Sequence, residues 1–218
     1  MNVEVIDPKI KVYLPMSSSL IMKHIERCGR ICYQSQPKGE SAEEFIRMII
    51  KRGHESVLEH IAFTVVLTCD RGVTHEIVRH RIASYSQEST RYVPYKKGMR
   101  VVRQPGLSDE DLIKATTDAY KSYSRLLKEG HTAQIARTAL PNALASQIAV
   151  TMNLREWRHF FRLRCSKAAH PAMRAIAVPL FHKVRDLLPA IFDSIDVTYD
   201  VPYFPVKVNV VPNLKANH

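Results

Sequence analysis

Apolar and polar positions alternate at Val3-Glu4-Val5-Ile6, the period-two pattern of a half-buried strand. Further on the period lengthens. Ser17-Ser18-Ser19 offers cap hydroxyls to a helix that runs to about Arg30, with Leu20, Ile21, Ile25 and Cys28 on one face. Ser41-Ala42-Glu43-Glu44 has the spacing of a capping box. The helix it opens carries Phe45, Met48 and Ile49 and stops at Gly53, a residue suited to the left-handed terminating position. Ile61 to Cys69 is rich in β-branched residues and predicts a second strand. Asp70 then caps a helix from about Gly72 to Ile82. Ser108 caps a long helix with a stripe of Leu112, Ala115, Ala119, Tyr123 and Leu126, ended by Gly130. A shorter helix holds Ile135 and Arg137 and stops before Pro141. Ser146 to Met152 alternates again, as a strand. Leu154 to Arg164 is helical, with Trp157, Phe160, Phe161 and Leu163. A last helix, from near Pro171 to Leu188, contains Pro179, where a kink is expected. The tail from Val197, with Pro202, Pro205 and Pro212, is expected to be extended and to serve as an interaction arm.

Composition narrows the class. At 218 residues the chain has room for one domain with a proper core, with residues 197–218 as an appendage. No run of eighteen apolar residues occurs, so no membrane partner is expected. The first residues lack the basic and apolar regions of a secretion signal. Cys28, Cys32, Cys69 and Cys165 form no disulfide framework, so a reduced, cytoplasmic chain is the simplest account. The formal net charge of +11 favours polyanionic partners: nucleotides, dinucleotide cofactors, folates with glutamyl tails, or nucleic acid. No helix-turn-helix or aromatic-interleaved strand motif is visible, so nucleic acid is the weaker choice; a basic binding module without catalysis is the competing class.

The decisive stretch is Arg79-His80-Arg81, then seven residues, then Ser89, with Thr90 and Arg91 following. Arginine presents a planar fork of donors that matches phosphate oxygens in pairs and stays charged. Arg79 to Arg81 fall at the expected C-terminal end of the Asp70 helix, where cations are favoured by about 0.3–1 kcal/mol each. Helix termination leaves Ser84, Ser86, Ser89 and Arg91 unexplained, because they lie beyond the helix.

This segment closely resembles the signature of the flavin-dependent thymidylate synthases. The resemblance continues upstream in Gly53-His54-Glu55-Ser56-Val57-Leu58-Glu59-His60. Downstream it continues in Ala136-Arg137-Thr138-Ala139-Leu140-Pro141, Asn153-Leu154-Arg155 and Leu163-Arg164, so that it covers about residues 20 to 185. It implies an α/β (α+β) fold, a single domain with a central, mostly antiparallel sheet flanked by helices. It implies reductive methylation of dUMP to dTMP, with FAD as cofactor, NADPH as reductant and 5,10-methylenetetrahydrofolate as carbon donor. It also implies a homotetramer in which FAD lies across subunit interfaces.

Residue by residue, the resemblance assigns Ser56, Glu59, Arg79, His80, Arg81, Gln87, Asn153, Arg155 and His159 to FAD. It assigns Glu76, Arg79, Gln87, Glu88, Ser89, Thr90, Arg91, Arg137 and Arg164 to dUMP. Arg164 matches the family arginine that stabilises the anion at N3 and O4 of the uracil; with its high pKa it acts electrostatically, not as a base. Ser89 has the residue type of a nucleophile, yet no histidine is evidently placed to activate it, so it is read as binding and polarising the substrate. The family usually has Gln where Glu76 stands, Asn-Glu in place of Ser86-Gln87, and often Asn in place of His159. Seven glycines in the chain leave little room for a glycine-rich phosphate loop, so arginines and helix ends must hold any dinucleotide. No metal is expected: His54 and His60 are too far apart for a helical ligand pair. Cys28 and Cys32 are read as two small residues on a helix, not as ligands.

Overall fold

The three strands predicted from the apolar pattern are present, and among the described residues four more accompany them. The computed structural model describes residues 2–32, 34–37, 39–198 and 206–211. The chain begins with strands β1 (Val3–Ile6) and β2 (Lys9–Tyr13) and helices α1 (Ser18–Ile31) and α2 (Ala42–Lys51). A 3-10 turn at Glu55–His60 leads to β3 (Ala62–Asp70), α3 (Arg71–Ile77), β4 (Ala83–Gln87) and β5 (Met99–Val102). After α4 (Asp109–Lys128) come α5 (Ala133–Ala136), a 3-10 turn at Arg137–Ala139 and β6 (Ala145–Asn153). The rest is α6 (Leu154–Arg164), α7 (Pro171–Leu187), α8 (Pro189–Phe192) and β7 (Val208–Val211).

The main sheet has the order β4-β6-β3-β2-β7 and is antiparallel except for the β2–β7 pair. The mostly antiparallel central sheet of the sequence reading is therefore found. Phe63, Val65 and Leu67 of β3 lie opposite Met152, Val150 and Ile148 of β6, and all six are buried in the main core. On the other face Thr64 and Thr151 share a hydrogen bond of 2.8 Å. A one-residue slip would exchange these two sets, so the alternation fixes the register. That register matters for the site. It sets the start of β3, just after the Glu55–His60 turn, against the end of β6 at Asn153, where α6 begins. The start of β4 falls at the same end, with Ala83 opposite Met152.

Helices seal the apolar face. Trp157 of α6 stacks on Phe63 with ring centroids 4.9 Å apart, and its Nε1–H donates to the Phe63 carbonyl at 3.2 Å. Gly29 lets α1 approach α2: a Cβ there would come within 2.8 Å of the Phe45 ring. A second, smaller core forms where β1 and β5 pair in parallel beneath α4, around Met99, Val101, Leu112, Tyr120, Tyr123 and Leu144.

Several expectations change. Leu20 is 55% exposed, and Met22 takes its place in the buried face of α1. In α4, Ala115 is exposed while Thr116 and Tyr120 are buried; Thr116 is accommodated because its hydroxyl donates to the Leu112 carbonyl at 2.7 Å. The helix capped by Asp70 ends at Ile77, not Ile82, so Arg79-His80-Arg81 forms the turn beyond it. Tyr85 explains the early stop. Its hydroxyl lies 2.9 Å from the Ile77 carbonyl and 2.5 Å from the His80 carbonyl, serving acceptors that another helical turn would otherwise satisfy. Ser84 and Ser86 lie on a strand, not in a loop. Of the expected tail arm, residues Val208–Val211 pair with β2 as an edge strand of the sheet, whereas Pro202, Pro205 and Pro212 lie outside the described residues. Pro179 does lie inside α7.

Candidate active site

Three chain segments meet at the end of the sheet that carries Asn153. They are the Glu55–His60 turn, the turn after α3, and the first two turns of α6. Between them opens a cleft of about 530 Å³ lined by Gly53, Glu55, Glu59, Ile82, Asn153, Arg155, Glu156, His159 and Arg162. Asn153 caps α6, its side-chain oxygen accepting from the Glu156 N–H at 2.8 Å. Arg155 reaches across to Glu59 at 2.6 Å, tying α6 to the turn. Glu55 accepts from Arg158 at 2.9 Å and from Arg162 at 3.1 Å. Burial pushes the Glu55 carboxyl up, but the two arginines outweigh it and hold the carboxyl below its ordinary value.

Beneath the cleft lies a buried chain of polar groups. His80 Nδ1 is 2.9 Å from Glu156 Oε1, and Arg164 Nε–H donates to His80 Nε2 at 3.1 Å. The other guanidinium nitrogens of Arg164 donate to the Glu76 carboxylate and the Glu76 carbonyl, each at 2.9 Å. The His80 ring is walled by Phe160 and His159, with centroids 5.1 and 5.6 Å away. Burial, with help from Arg164, lowers the His80 pKa against the opposing pull of Glu156, so the ring is neutral.

Ser56, Glu59, Arg79, His80, Arg81, Asn153, Arg155 and His159 thus belong to this end of the sheet, and Arg164, at the far end of α6, is joined to them through His80 and is held by Glu76. The remaining candidates do not. Gln87 ends β4, with Nε2–H donating to Thr74 at 3.0 Å and Ser146 at 3.2 Å. Glu88 accepts from the Tyr95 hydroxyl at 3.0 Å, and Ser89 accepts from the Arg91 N–H at 3.3 Å. Thr90 is buried, and Arg91 donates to Gln134 at 2.9 Å, which draws it to the segment carrying Arg137. The five residues of β4 separate the two groups by roughly 13 Å of extended chain.

A family model described as thymidylate synthase complementing protein matches residues 19–190. The flavin-dependent thymidylate synthase of Mycobacterium tuberculosis is 38% identical over 199 residues, covering 80% of this chain and 79% of that one. The chain belongs to the flavin-dependent thymidylate synthase family. The enzyme of that name from Mycobacterium avium is 37% identical over 198 residues, with 79% of each chain covered. In fold, the chain resembles a UMP/dUMP methylase, PolB of Streptomyces cacaoi. With 5-Br dUMP bound, that structure gives a TM-score of 0.69 at 23% identity, covering 87% of this chain and 95% of that one.

Within the family frame, Glu156, Arg158 and Arg162 are structural participants that the sequence reading passed over, and Glu55, quoted there only as part of a motif, gains its role as the partner of the two arginines. Glu156 had a signal of another kind: three residues after a capping Asn, it has the position of a capping-box partner. His80, Glu156 and His159 bring ligand-type atoms within 4.8 Å of one another. Both His80 nitrogens are already engaged, and Arg155, Arg162 and Arg164 crowd the same region, so the local charge suits an anion better than a divalent cation.

Proposed function

We propose that this enzyme converts dUMP to dTMP in the cytoplasm, with FAD, NADPH and 5,10-methylenetetrahydrofolate. The overall balance is dUMP, methylenetetrahydrofolate, NADPH and a proton giving dTMP, tetrahydrofolate and NADP⁺. The observation that carries this reading is the arginine-lined cleft at the start of α6, built from the family's own motif residues in a chain with no glycine-rich phosphate loop. Its volume lies within the usual range for cofactor sites, about 300–1,000 Å³. Its donor set fits a flavin dinucleotide: the Asn153 amide and His159 suit ring carbonyls, while the guanidinium groups of Arg155, Arg162, Arg79 and Arg81 suit the diphosphate. Bound there, the flavin supplies hydride transfer from the nicotinamide to the one-carbon unit.

The chain's own residues do the rest. Glu59 orients Arg155 across the cleft, and Glu55 orients Arg162. Arg164 presents a fixed guanidinium plane that stabilises negative charge at N3 and O4 of the uracil as C5 becomes nucleophilic. Ser89, Arg91 and Arg137 hold the nucleotide's phosphate and sugar, with Gln87 and Glu88 beside them. No thiolate is needed. Burial raises the thiols of Cys69 and Cys165, the latter to about 12. Because Ser89 and the Glu59–Arg155 cleft belong to opposite ends of β4, we further propose a homotetramer whose subunits pool residues, with residues 1–218 acting as one domain.

The test is spectroscopic. Purified protein should be yellow with an oxidised-flavin spectrum that shifts on adding dUMP, and the reduced flavin should reoxidise anaerobically only with both dUMP and methylenetetrahydrofolate present. A colourless protein that takes up no added FAD and binds nucleic acid instead would favour the non-catalytic basic module.

A further inference from the structure

Glu156 holds half of a capping box. Its N–H is accepted by Asn153, but its carboxylate does not turn back to the Asn153 backbone; it points to His80. That choice sets the chemistry of the next two groups. Guanidinium nitrogens only donate, so the Arg164 Nε–H at 3.1 Å requires an unprotonated Nε2 on His80. The neutral ring then carries its proton on Nδ1, where the Glu156 carboxylate accepts it at 2.9 Å.

Resting on the reading of Arg164 given above, we propose that Glu156 is a positioning residue for Arg164. It holds His80 as the Nδ1–H tautomer and so keeps Nε2 open to accept from the guanidinium. The Glu76 carboxylate and carbonyl fix the other two nitrogens of Arg164. Three contacts from two sides define the guanidinium plane, and only the one through His80 depends on a proton's location. Without an acceptor at Nδ1 the ring is free to place its proton on Nε2. Two N–H groups then face each other, and the guanidinium turns out of plane. The wall of Phe160 and His159 denies the ring an easy escape by rotation.

Glu156→Leu removes the acceptor at similar size. Glu156→Gln retains a carbonyl oxygen that can take the Nδ1 proton. Each is made alone and combined with Arg164→Ala. The first readout needs no flavin: ¹⁵N shifts of the His80 imidazole, assigned by difference with His80→Gln, should report Nδ1–H in the parent and in Glu156→Gln, and its loss in Glu156→Leu. The second is single-turnover oxidation of reduced flavin with dUMP and methylenetetrahydrofolate. Measured on the flavin-loaded fraction, Glu156→Leu should slow it by about 10–100-fold, the usual range for removing a partner that orients a site residue. Glu156→Gln should recover most of that loss. In the Arg164→Ala background Glu156→Leu should add nothing, because groups acting through one another are not additive.

A parent spectrum with the proton on Nε2 overturns the inference, and this needs no variant to fold. So do additive losses in the double variant, or a parent-like Glu156→Leu beside a slow Arg164→Ala. Arg164→Ala turning over at the parent rate would instead overturn the reading of Arg164, and the inference with it.

Discussion

Glu55 shows how single residues at the cleft divide their work. Its carboxylate serves Arg158, which is buried along its whole side chain, and Arg162, which faces the cleft. The Arg158 guanidinium also donates to the Ile191 carbonyl and to Ser194, so Glu55 links the turn carrying Ser56 and Glu59 to the segment after α7. Its pKa is lowered from 4.5 in the folded chain: burial raises it, but hydrogen bonds from the two arginines win. A depressed carboxylate stabilises the fold above its unfolded value, and that stabilisation is lost as pH falls through the folded value. Urea unfolding midpoints should therefore drop as the solution is acidified below about 4.5. Glu55→Gln should be less stable by about 1–2 kcal/mol at neutral pH, the worth of charge-assisted hydrogen bonds after solvent screening. It should also show a shallower acid limb. Parallel acid limbs in the two proteins would mean that Glu55 carries none of this linkage.

At the scale of elements, α3 is the piece on which most of the motif hangs. It is only seven residues long, and its start depends on Asp70, whose Oδ1 accepts from the Val73 N–H at 2.8 Å while Oδ2 accepts from Gln104 at 3.1 Å. Asp70→Ala should cost about 1–2 kcal/mol, the range for a lost N-cap, and Asp70→Asn should keep most of it. Equal midpoints for Asp70→Ala and the parent in urea would show that α3 is held by packing alone. The cap was legible in the sequence; the end of the helix was not. Propensity and cation placement both favour continuing to Ile82, but the Tyr85 hydroxyl, eight residues past Ile77, meets the Ile77 and His80 carbonyls at the turn, and no local pattern announces that. The same contrast runs through the sheet. β3 and β6 alternate over nine residues each and were readable, whereas β5 and β7 are four residues long and gain their identity from partners far along the chain. β2 alternates cleanly as Lys9-Ile10-Lys11-Val12-Tyr13, so its omission was a failure of reading, not of signal. In the site, the arginines and Ser89 announce themselves by motif. Glu156 does not, because its function lies in which ring it meets, and the β3–β6 register decides that.

At the scale of the whole molecule, the sheet sets the two groups of site residues apart. Glu59, Arg155 and His159 gather near the start of α6, with His80 linking them to Arg164 at that helix's far end, while Ser89, Arg91 and Arg137 lie beyond the far end of β4. The length of β4, roughly 13 Å of extended chain before either flanking turn is added, lies between the Glu59–Arg155 cleft and the Ser89–Arg91–Arg137 group of one chain. Pairing each cleft with the Ser89–Arg91–Arg137 group of another subunit would bring the two groups to one site. It would also account for the dispersal of the motifs proposed to face the cofactor. The prediction follows from symmetry. One parent chain is altered only in the cleft, as Glu59→Ala with Arg155→Ala, and another only in the far group, as Arg91→Ala with Arg137→Ala. Each homomer should be inactive. Unfolded together and reassembled, they should form hybrids in which some sites combine an intact cleft from one chain with an intact far group from the other, and dTMP formation should return. In a protein whose sites are each built from one chain, every site in the hybrid keeps a defect and the mixture stays as inactive as its parents. Native mass spectrometry of the mixture confirms that hybrids formed, so that silence can be assigned to unshared sites and not to failed exchange.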